Sequence, residues 1–137
     1  MVKTCGIYLV NSKNCVLICH PTNHPMNLWS IPKGLLDGDE TEYEAATREL
    51  LEETCIDIKS IKHDEPIKMP DILYLSGKKT LVSFLIRIKD DISIDSLRCD
   101  SWVGGKFPEV DIFKWVSLEV ARELLHDSQR TNLDLIK

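Results

Sequence analysis

The amino-acid sequence predicts a layered fold of the α/β class, with α+β as the alternative. Two apolar runs near the N-terminus favour a β-hairpin, residues 80–88 form a strong β run, and two capped segments favour helices. Strands mixed with helices along one chain are typical of such layered domains. A chain of 137 residues can bury one continuous core, so we expect a single domain over residues 1–137.

Strands are expected where short apolar runs are bounded by turn residues. Residues 2–10 and 15–20 flank a polar turn, which predicts the N-terminal hairpin. Further extended segments are expected at residues 29–32, 58–62, 80–88 and 113–116. Segments rich in Pro, Gly, Asn and Asp predict loops at residues 21–27, 34–39 and 90–108.

The first predicted helix begins after Thr41. The Thr41 hydroxyl and Glu44, three residues later, have the spacing of a capping box. Residues 42–54 contain neither Gly nor Pro and are rich in good helix formers. A second, amphipathic helix is expected at residues 118–126, after the capping residue Ser117.

Charge and cysteine usage limit the classes of function. The formal net charge of −5 argues against broad attraction to nucleic acid or an anionic membrane, so binding a polyanion requires bridging cations or a basic pocket. The five cysteines form no C-x-x-C pair, and no apolar run reaches membrane-spanning length. We therefore expect reduced thiols and a cytoplasmic protein without membrane association.

One face of the first helix concentrates acidic residues. At about 100° per residue, Glu49, Glu52 and Glu53 fall within roughly 100° of one another. Like charges at these spacings repel by about 0.3 kcal/mol per pair, and Arg48 compensates only part of this repulsion. An ordinary solvated helix surface has the same composition. The three glutamates alone therefore leave two alternatives, a helix surface and a site for divalent cations.

The residues around this face have a fixed spacing. Gly34 is followed after five residues by Glu40 and, after seven more, by R-E-L-L-E-E-T-C-I at residues 48–56. This segment closely resembles the signature of the Nudix hydrolases, G-x5-E-x7-R-E-U-x-E-E-x-G-U with U apolar, and matches eight of its nine specified positions. The lead-in W-x-x-P-K-G at residues 29–34 also fits the family. The resemblance implies an α/β/α sandwich with a mixed β-sheet and a catalytic loop-helix-loop motif.

One position departs from this signature. Cys55 stands where the family has a glycine after the helix. A glycine there suits a left-handed helix cap, which costs a residue with a side chain about 1 kcal/mol. We expect either a different helix exit or a modest loss of stability, with no metal ligand removed.

The resemblance also implies a metal cofactor, Mg²⁺ or alternatively Mn²⁺. Its ligands would be Glu49, Glu52 and Glu53, together with the backbone carbonyl of Lys33. Mg²⁺ suits this role because it prefers hard oxygen ligands and is shared with substrate phosphates.

The catalytic roles follow from the same resemblance. Arg48 is expected to orient the glutamates, while Glu40 supports the loop or a bound water. The general base is expected to be Glu53, Glu49 or an acid outside the motif, for which Glu109 is the first candidate and Asp111 the second, and the resemblance leaves these alternatives open.

Substrate contacts are expected outside the helix. Lys33 is a candidate phosphate contact, and Tyr74, Trp102 and Phe107 are candidates for base stacking because they lie in irregular segments where pockets are built. The alternative for each is an exposed or core side chain. The four histidines have no usable spacing and are interpreted as incidental.

The family cleaves phosphoanhydride bonds in nucleoside diphosphates linked to another moiety. The segments at residues 29–34 and 113–119 look most like the diadenosine tetraphosphate hydrolase branch, which makes a dinucleoside polyphosphate the first substrate expectation. A nucleoside triphosphate or an RNA 5′-triphosphate end is the alternative. A non-catalytic nucleotide-binding module is a further alternative, although such modules usually lose motif glutamates. A monomer and a homodimer are both compatible with the sequence.

Overall fold

A computed structural model describes residues 2–137, and Met1 of the predicted domain lies outside the described residues. Chain order gives the following strands and helices: β1 (Val2–Val10), β2 (Cys15–Pro21), β3 (Lys33–Leu35), α1 (Glu42–Thr54), β4 (Ile67–Lys68), β5 (Ile72–Tyr74), β6 (Lys79–Arg87), β7 (Trp102–Val103), β8 (Phe107–Pro108), β9 (Val110–Ser117), α2 (Leu118–Leu124) and α3 (Asp127–Leu133). Short 3-10 turns lie at Ile58–Ser60 and Ile94–Ser96. No helix in the described part of the chain is long and apolar enough to cross a membrane.

Strand β1 lies at the centre of a mixed sheet. One edge of β1 pairs in parallel with β6 over its whole length, from Val2 opposite Lys79 to Val10 opposite Arg87. The other edge pairs antiparallel with β3 and, near the turn, with β2. Strand β9 extends the sheet beyond β2, while β4 and β5 pair with β6. The predicted hairpin and the predicted mixed sheet are therefore confirmed.

Helices cover both faces of this sheet. Alternate residues of β1 face opposite sides, so Ile7 and Leu9 pack with Leu50 of α1, whereas Tyr8 packs with Leu125 between α2 and α3. The Tyr8 hydroxyl donates a 2.8 Å hydrogen bond to the carbonyl of Gln129, which satisfies the one polar atom of that side chain. The predicted α/β/α sandwich is confirmed.

Four local predictions are wrong. The predicted loop at residues 90–108 contains the short β7–β8 hairpin, because Gly104 and Gly105 adopt positive φ and close a tight turn. The predicted strand at residues 58–62 is a 3-10 turn, because the Asp57 carboxylate accepts the N–H of Lys59 and caps a turn. The predicted loop at residues 34–39 begins as β3, which pairs with β1. The last predicted helix ends at Leu124 rather than at residue 126, because Leu125 is extended and bridges Trp29, and α3 follows it.

Helix α1 begins and ends at specific caps. Thr41 and Glu44 form the predicted capping box, with reciprocal side-chain to backbone hydrogen bonds. At the other end Cys55 is left-handed, with φ 67° and ψ 15°, and its N–H donates to the carbonyl of Leu51. The alternative of a different helix exit is therefore wrong, because the chain keeps the left-handed cap without the glycine. The Cys55 thiol lies 3.2 Å from a carboxylate oxygen of Asp100.

We predict that Cys55→Gly raises the free energy of unfolding by about 1 kcal/mol, because glycine adopts positive φ without steric cost. Urea denaturation measures the change. Cys55→Ala is the matched control, since it removes the thiol contact but keeps a Cβ, and it should not be stabilising. Equal effects of Gly and Ala would show that the left-handed cap carries no strain.

Candidate active site

Three carboxylates converge at one edge of α1. Oxygen atoms of Glu49, Glu53 and Glu109 all lie within 4.8 Å of one another. Glu49 and Glu53 are one helical turn apart and are both buried, whereas half-buried Glu109 immediately precedes β9. The three side chains can meet because α1 packs on the sheet of which β9 is an edge strand.

The three acids are only partly compensated by their surroundings. Burial raises the pKa of Glu53 well above its usual range, and the charges of Glu49 and Glu109 raise it further, against the opposing hydrogen bond from the Lys33 N–H at 3.3 Å. Burial also raises the pKa of Glu49 despite its hydrogen bond from Arg48. Buried carboxylates this close favour a hard divalent cation, so the donor set fits the predicted magnesium or manganese ion.

Gly34 has a steric role at this site. A Cβ built on Gly34 would lie 2.0 Å from Cδ of Glu49 and 2.2 Å from both carboxylate oxygens. Its φ is not positive, so close approach rather than backbone conformation explains a glycine at this position. The loop glycine of the motif thus makes room for a candidate metal ligand on the helix.

Arg48 forms one hydrogen-bonded network with three glutamates. Its guanidinium donates to both oxygens of Glu40, at 2.7 and 3.0 Å, to Glu49 at 2.9 Å and to Glu52 at 3.2 Å. The hydrogen bond from Arg48 lowers the pKa of Glu40. Glu52 is 41% exposed and lies outside the group of three carboxylates. The predicted ligand role of Glu52 stays a prediction.

A cavity of about 560 Å³ opens beside Glu53 and Glu109. Among the predicted substrate contacts, Lys33, Tyr74 and Phe107 line it. Trp102 does not line it, although it is 56% exposed. The β7–β8 register explains this, because Val103 lies opposite Phe107 and shares its face, so neighbouring Trp102 points to the other face.

Sequence reasoning missed the role of His20, which was interpreted as incidental. Its side chain is 2% exposed, with Nδ1 lying 2.6 Å from Asp111 and Nε2 lying 3.1 Å from the carbonyls of His24 and Pro25. These contacts hold the loop at residues 21–27, part of which lines the cavity. The alternation of residues along β2 could have indicated this role. Residue 20 shares the buried face of residues 16 and 18, and a buried imidazole needs hydrogen-bond partners.

The same loop is tied to the strand that carries Glu109. The N–H of Thr22 donates to the carbonyl of Glu109 at 3.0 Å, and Asp111, two residues further on, contacts His20. A bulge between His20 and Pro21 shifts the β2–β9 register at this point. The loop and Glu109 are therefore positioned together.

We predict that the His20–Asp111 pair stabilises the fold more at low pH than at high pH. Burial lowers the pKa of His20, but hydrogen bonds to Asp111 and the two carbonyls outweigh it, so the pKa is raised. A raised folded pKa gives stability that is full below the unfolded value of about 6.5 and is lost as pH rises through the folded value.

Urea denaturation of the wild type and Asp111→Asn at pH 6 and pH 9 measures this effect. Because Asp111 is about one-third exposed, we expect a wild-type advantage of about 1 kcal/mol at pH 6 and a smaller one at pH 9. An advantage that is equal or larger at pH 9 would contradict a protonated His20.

The mixed sandwich and its carboxylate group define a small hydrolase-type domain, and comparison with known proteins identifies its family. The NUDIX domain model matches residues 2–136. The RNA pyrophosphohydrolase of Pelagibacter ubique (strain HTCC1062) is 30% identical in an alignment that covers 89% of this chain and 80% of that protein. The chain belongs to the NUDIX family, and its prediction as a Nudix hydrolase is confirmed.

Solved structures show the same fold. An Ap4A hydrolase from C. elegans superimposes with a TM-score of 0.76 at 20% identity, covering 96% of this chain and 93% of that one. A MutT protein from Methanosarcina mazei Go1 gives a TM-score of 0.70 at 18% identity, covering 98% and 91%. At these identities the likeness concerns the arrangement of strands and helices.

Proposed function

We propose that this chain uses Mg²⁺ or Mn²⁺ to hydrolyse a phosphoanhydride bond in a nucleoside diphosphate linked to another moiety. The observation that carries the proposal is the convergence of Glu49, Glu53 and Glu109 within 4.8 Å at the edge of a cavity. Glu49 and Glu53 would hold the ion, with Glu52 and the Lys33 carbonyl as further ligands, and Glu109, immediately before β9, would face the bound ion. When bound, the ion neutralises phosphate charge and lowers the pKa of a bound water.

Glu109 is the residue we propose as general base. Glu49 accepts a hydrogen bond from Arg48, and Glu53 accepts one from the Lys33 N–H. No hydrogen bond within residues 2–137 engages the half-buried Glu109 carboxylate, which leaves its oxygens available to a water in the cavity. A carboxylate positioned in this way removes the proton of the attacking water.

The cavity provides the means of binding a nucleotide. Lys33 lines the cavity, and its backbone N–H lies beside Glu53, so its ammonium can contact a substrate phosphate. Tyr74 and Phe107 line the same cavity and present aromatic rings to a base. A volume of about 560 Å³ lies within the range of small-molecule sites.

We propose that the reaction takes place in a reducing, cytoplasmic setting, where the five free cysteines stay unpaired.

Two substrate classes are favoured by separate observations. The sequence resemblance to the diadenosine tetraphosphate hydrolase branch favours a dinucleoside polyphosphate. The 30% identical relative is an RNA pyrophosphohydrolase, which favours an RNA 5′-triphosphate end. The test is turnover of dinucleoside polyphosphates, nucleoside triphosphates, ADP-ribose and triphosphorylated RNA with Mg²⁺, with every product identified. If none of these compounds is cleaved, the proposed hydrolysis is refuted and a non-catalytic nucleotide-binding module is favoured.

We predict that Glu53→Gln and Glu109→Gln each lower kcat at least ~100-fold while the protein stays folded, as expected for loss of a metal ligand or a general base. Initial rates at saturating substrate, with circular dichroism to verify folding, measure the effect. Glu42→Gln is the matched control, because Glu42 lies on the same helix and makes only an exposed ion pair with Lys3. A near-wild-type rate in either variant would remove that glutamate from its assigned role.

We predict that saturating Mg²⁺ raises the free energy of unfolding of the wild type by about 1–2 kcal/mol, or roughly 4–8 °C in Tm, because the ion binds only the folded state. Glu53→Gln should abolish this rise. Glu52→Gln tests the remaining ligand prediction, since a normal rise would assign Glu52 to the Arg48 network alone. A full rise in Glu53→Gln would place the ion elsewhere.

A further inference from the structure

The cavity extends well beyond the glutamates. Lys33, whose N–H contacts Glu53, pairs with Gly6 on one edge of β1, whereas Lys79 pairs with Val2 on the other edge. Four residues along a strand span about 13 Å, and two strand spacings add about 10 Å in the perpendicular direction. Both lysines line the cavity, which therefore extends over the sheet from the glutamates at one end to Lys79 at the other.

Lys79 and Tyr74 lie side by side at this far end. They are cross-strand partners in β6 and β5, so their side chains share one face. A 2.9 Å hydrogen bond between the Tyr74 hydroxyl and Oγ1 of Thr4 holds the tyrosine ring in place. Within residues 2–137 the lysines that form salt bridges are Lys3, Lys13, Lys68 and Lys89. Lys79, a half-buried residue, therefore has no carboxylate partner for its ammonium in that part of the chain.

His126 presents a hydrogen-bond donor to the same space. Its Nδ1 accepts the N–H of Ser128 at 3.1 Å and caps α3. The neutral ring therefore carries its proton on Nε2, which has no hydrogen-bond partner among the described residues. The ring is exposed, lines the cavity and lies edge-on to Tyr74, with ring centroids 6.1 Å apart.

The two ends of the cavity differ in charge. The carboxylates that line it are Glu53 and Glu109, and both belong to the glutamate group at the near end. Lys79 and His126 at the far end are both donors, and together with the Tyr74 ring they suit an anion adjacent to a base. We propose that Lys79 and His126 bind a second phosphate of the substrate, separated by one nucleoside from the phosphoanhydride that is cleaved.

This subsite specifies the substrate class of the proposed function. It rests on that function for one point, namely that the phosphoanhydride to be cleaved lies at the glutamates. The ligand class is a nucleotide with phosphates at both its 5′ and 3′ positions. The 5′ end of an RNA has this chemistry, because its first nucleoside carries a polyphosphate on one side and a phosphodiester on the other. A dinucleoside polyphosphate does not, since its phosphates form one continuous chain.

Equilibrium binding of nucleotides without an anhydride bond tests the subsite independently of hydrolysis. Isothermal titration calorimetry would compare adenosine 5′-monophosphate with adenosine 3′,5′-bisphosphate and with the 5′-phosphorylated dinucleotide pApA. We expect both 3′-substituted ligands to bind the wild type about 10-fold more tightly, the effect of about one charge-assisted hydrogen bond. Adenosine 2′,5′-bisphosphate is the matched ligand, with equal charge at the wrong position, and should gain less.

Matched variants assign the gain to the named side chains. Lys79→Met keeps the length of the side chain and removes its charge, and His126→Asn removes the Nε2 donor while keeping a good N-cap residue. Each should reduce the 3′-phosphate gain to less than about threefold. Lys78→Met is the control, because Lys78 is exposed and does not line the cavity, and it should keep the full gain.

Three outcomes would overturn the subsite. They are equal affinity for the 5′-monophosphate and the 3′,5′-bisphosphate, an equal gain from the 2′-phosphate, and a full gain in both Lys79→Met and His126→Asn. Loss of the gain with pApA would overturn the RNA assignment. If the protein binds the 3′-substituted ligands more tightly but cleaves no substrate, the hydrolase proposal is refuted and the subsite proposal stands. If it cleaves a substrate but shows no increase in affinity, only the subsite proposal is refuted.

Discussion

The burial of like-charged carboxylates beside one another is the constraint on which the rest of the site depends. Glu49 and Glu53 are 8% and 6% exposed, and burying such charges without an ion costs free energy. The arrangement is possible because the backbone approaches closely at two glycines. A Cβ at Gly34 would overlap the Glu49 carboxylate, and a Cβ at Gly6 would lie 2.8 Å from Cβ of Lys33. The contact between β1 and β3 therefore positions the loop beneath the acidic edge of α1.

The elements that follow from local patterns were predictable from the sequence. The hairpin, β6 and α1 each have a strong periodicity, and Thr41 gives α1 a defined start. The errors occur where a long-range contact or a side-chain cap decides the outcome. Asp57 converts an apolar segment into a turn, and the bridge between Trp29 and Leu125 ends α2. Neither partner can be inferred from periodicity, because the pairing depends on the folded sheet.

The candidate site was predictable in its chemistry but not in its side-chain grouping. A helical wheel shows that Glu49, Glu52 and Glu53 share one arc, but it does not show which edge of the arc faces the sheet. The packing of α1 turns Glu49 and Glu53 towards Glu109 and leaves Glu52 with Arg48 in a more exposed position. That distinction depends on the position of β9, about 60 residues further along the chain.

The distribution of cations explains how an acidic chain can bind a polyanion. The lysines that form salt bridges within the described residues, such as Lys3 with Glu42 and Lys89 with Asp64, do not line the cavity. The two lysines that line the cavity, Lys33 and Lys79, form no salt bridge within the described residues, and they lie on opposite edges of β1. Partly buried cations interact more strongly than solvated ones because their fields are less screened. The net charge of −5 is a sum over the whole chain, whereas the cavity combines a carboxylate group suited to divalent ions with ammonium groups suited to phosphates. A ligand with phosphates at two separated positions satisfies both features at once.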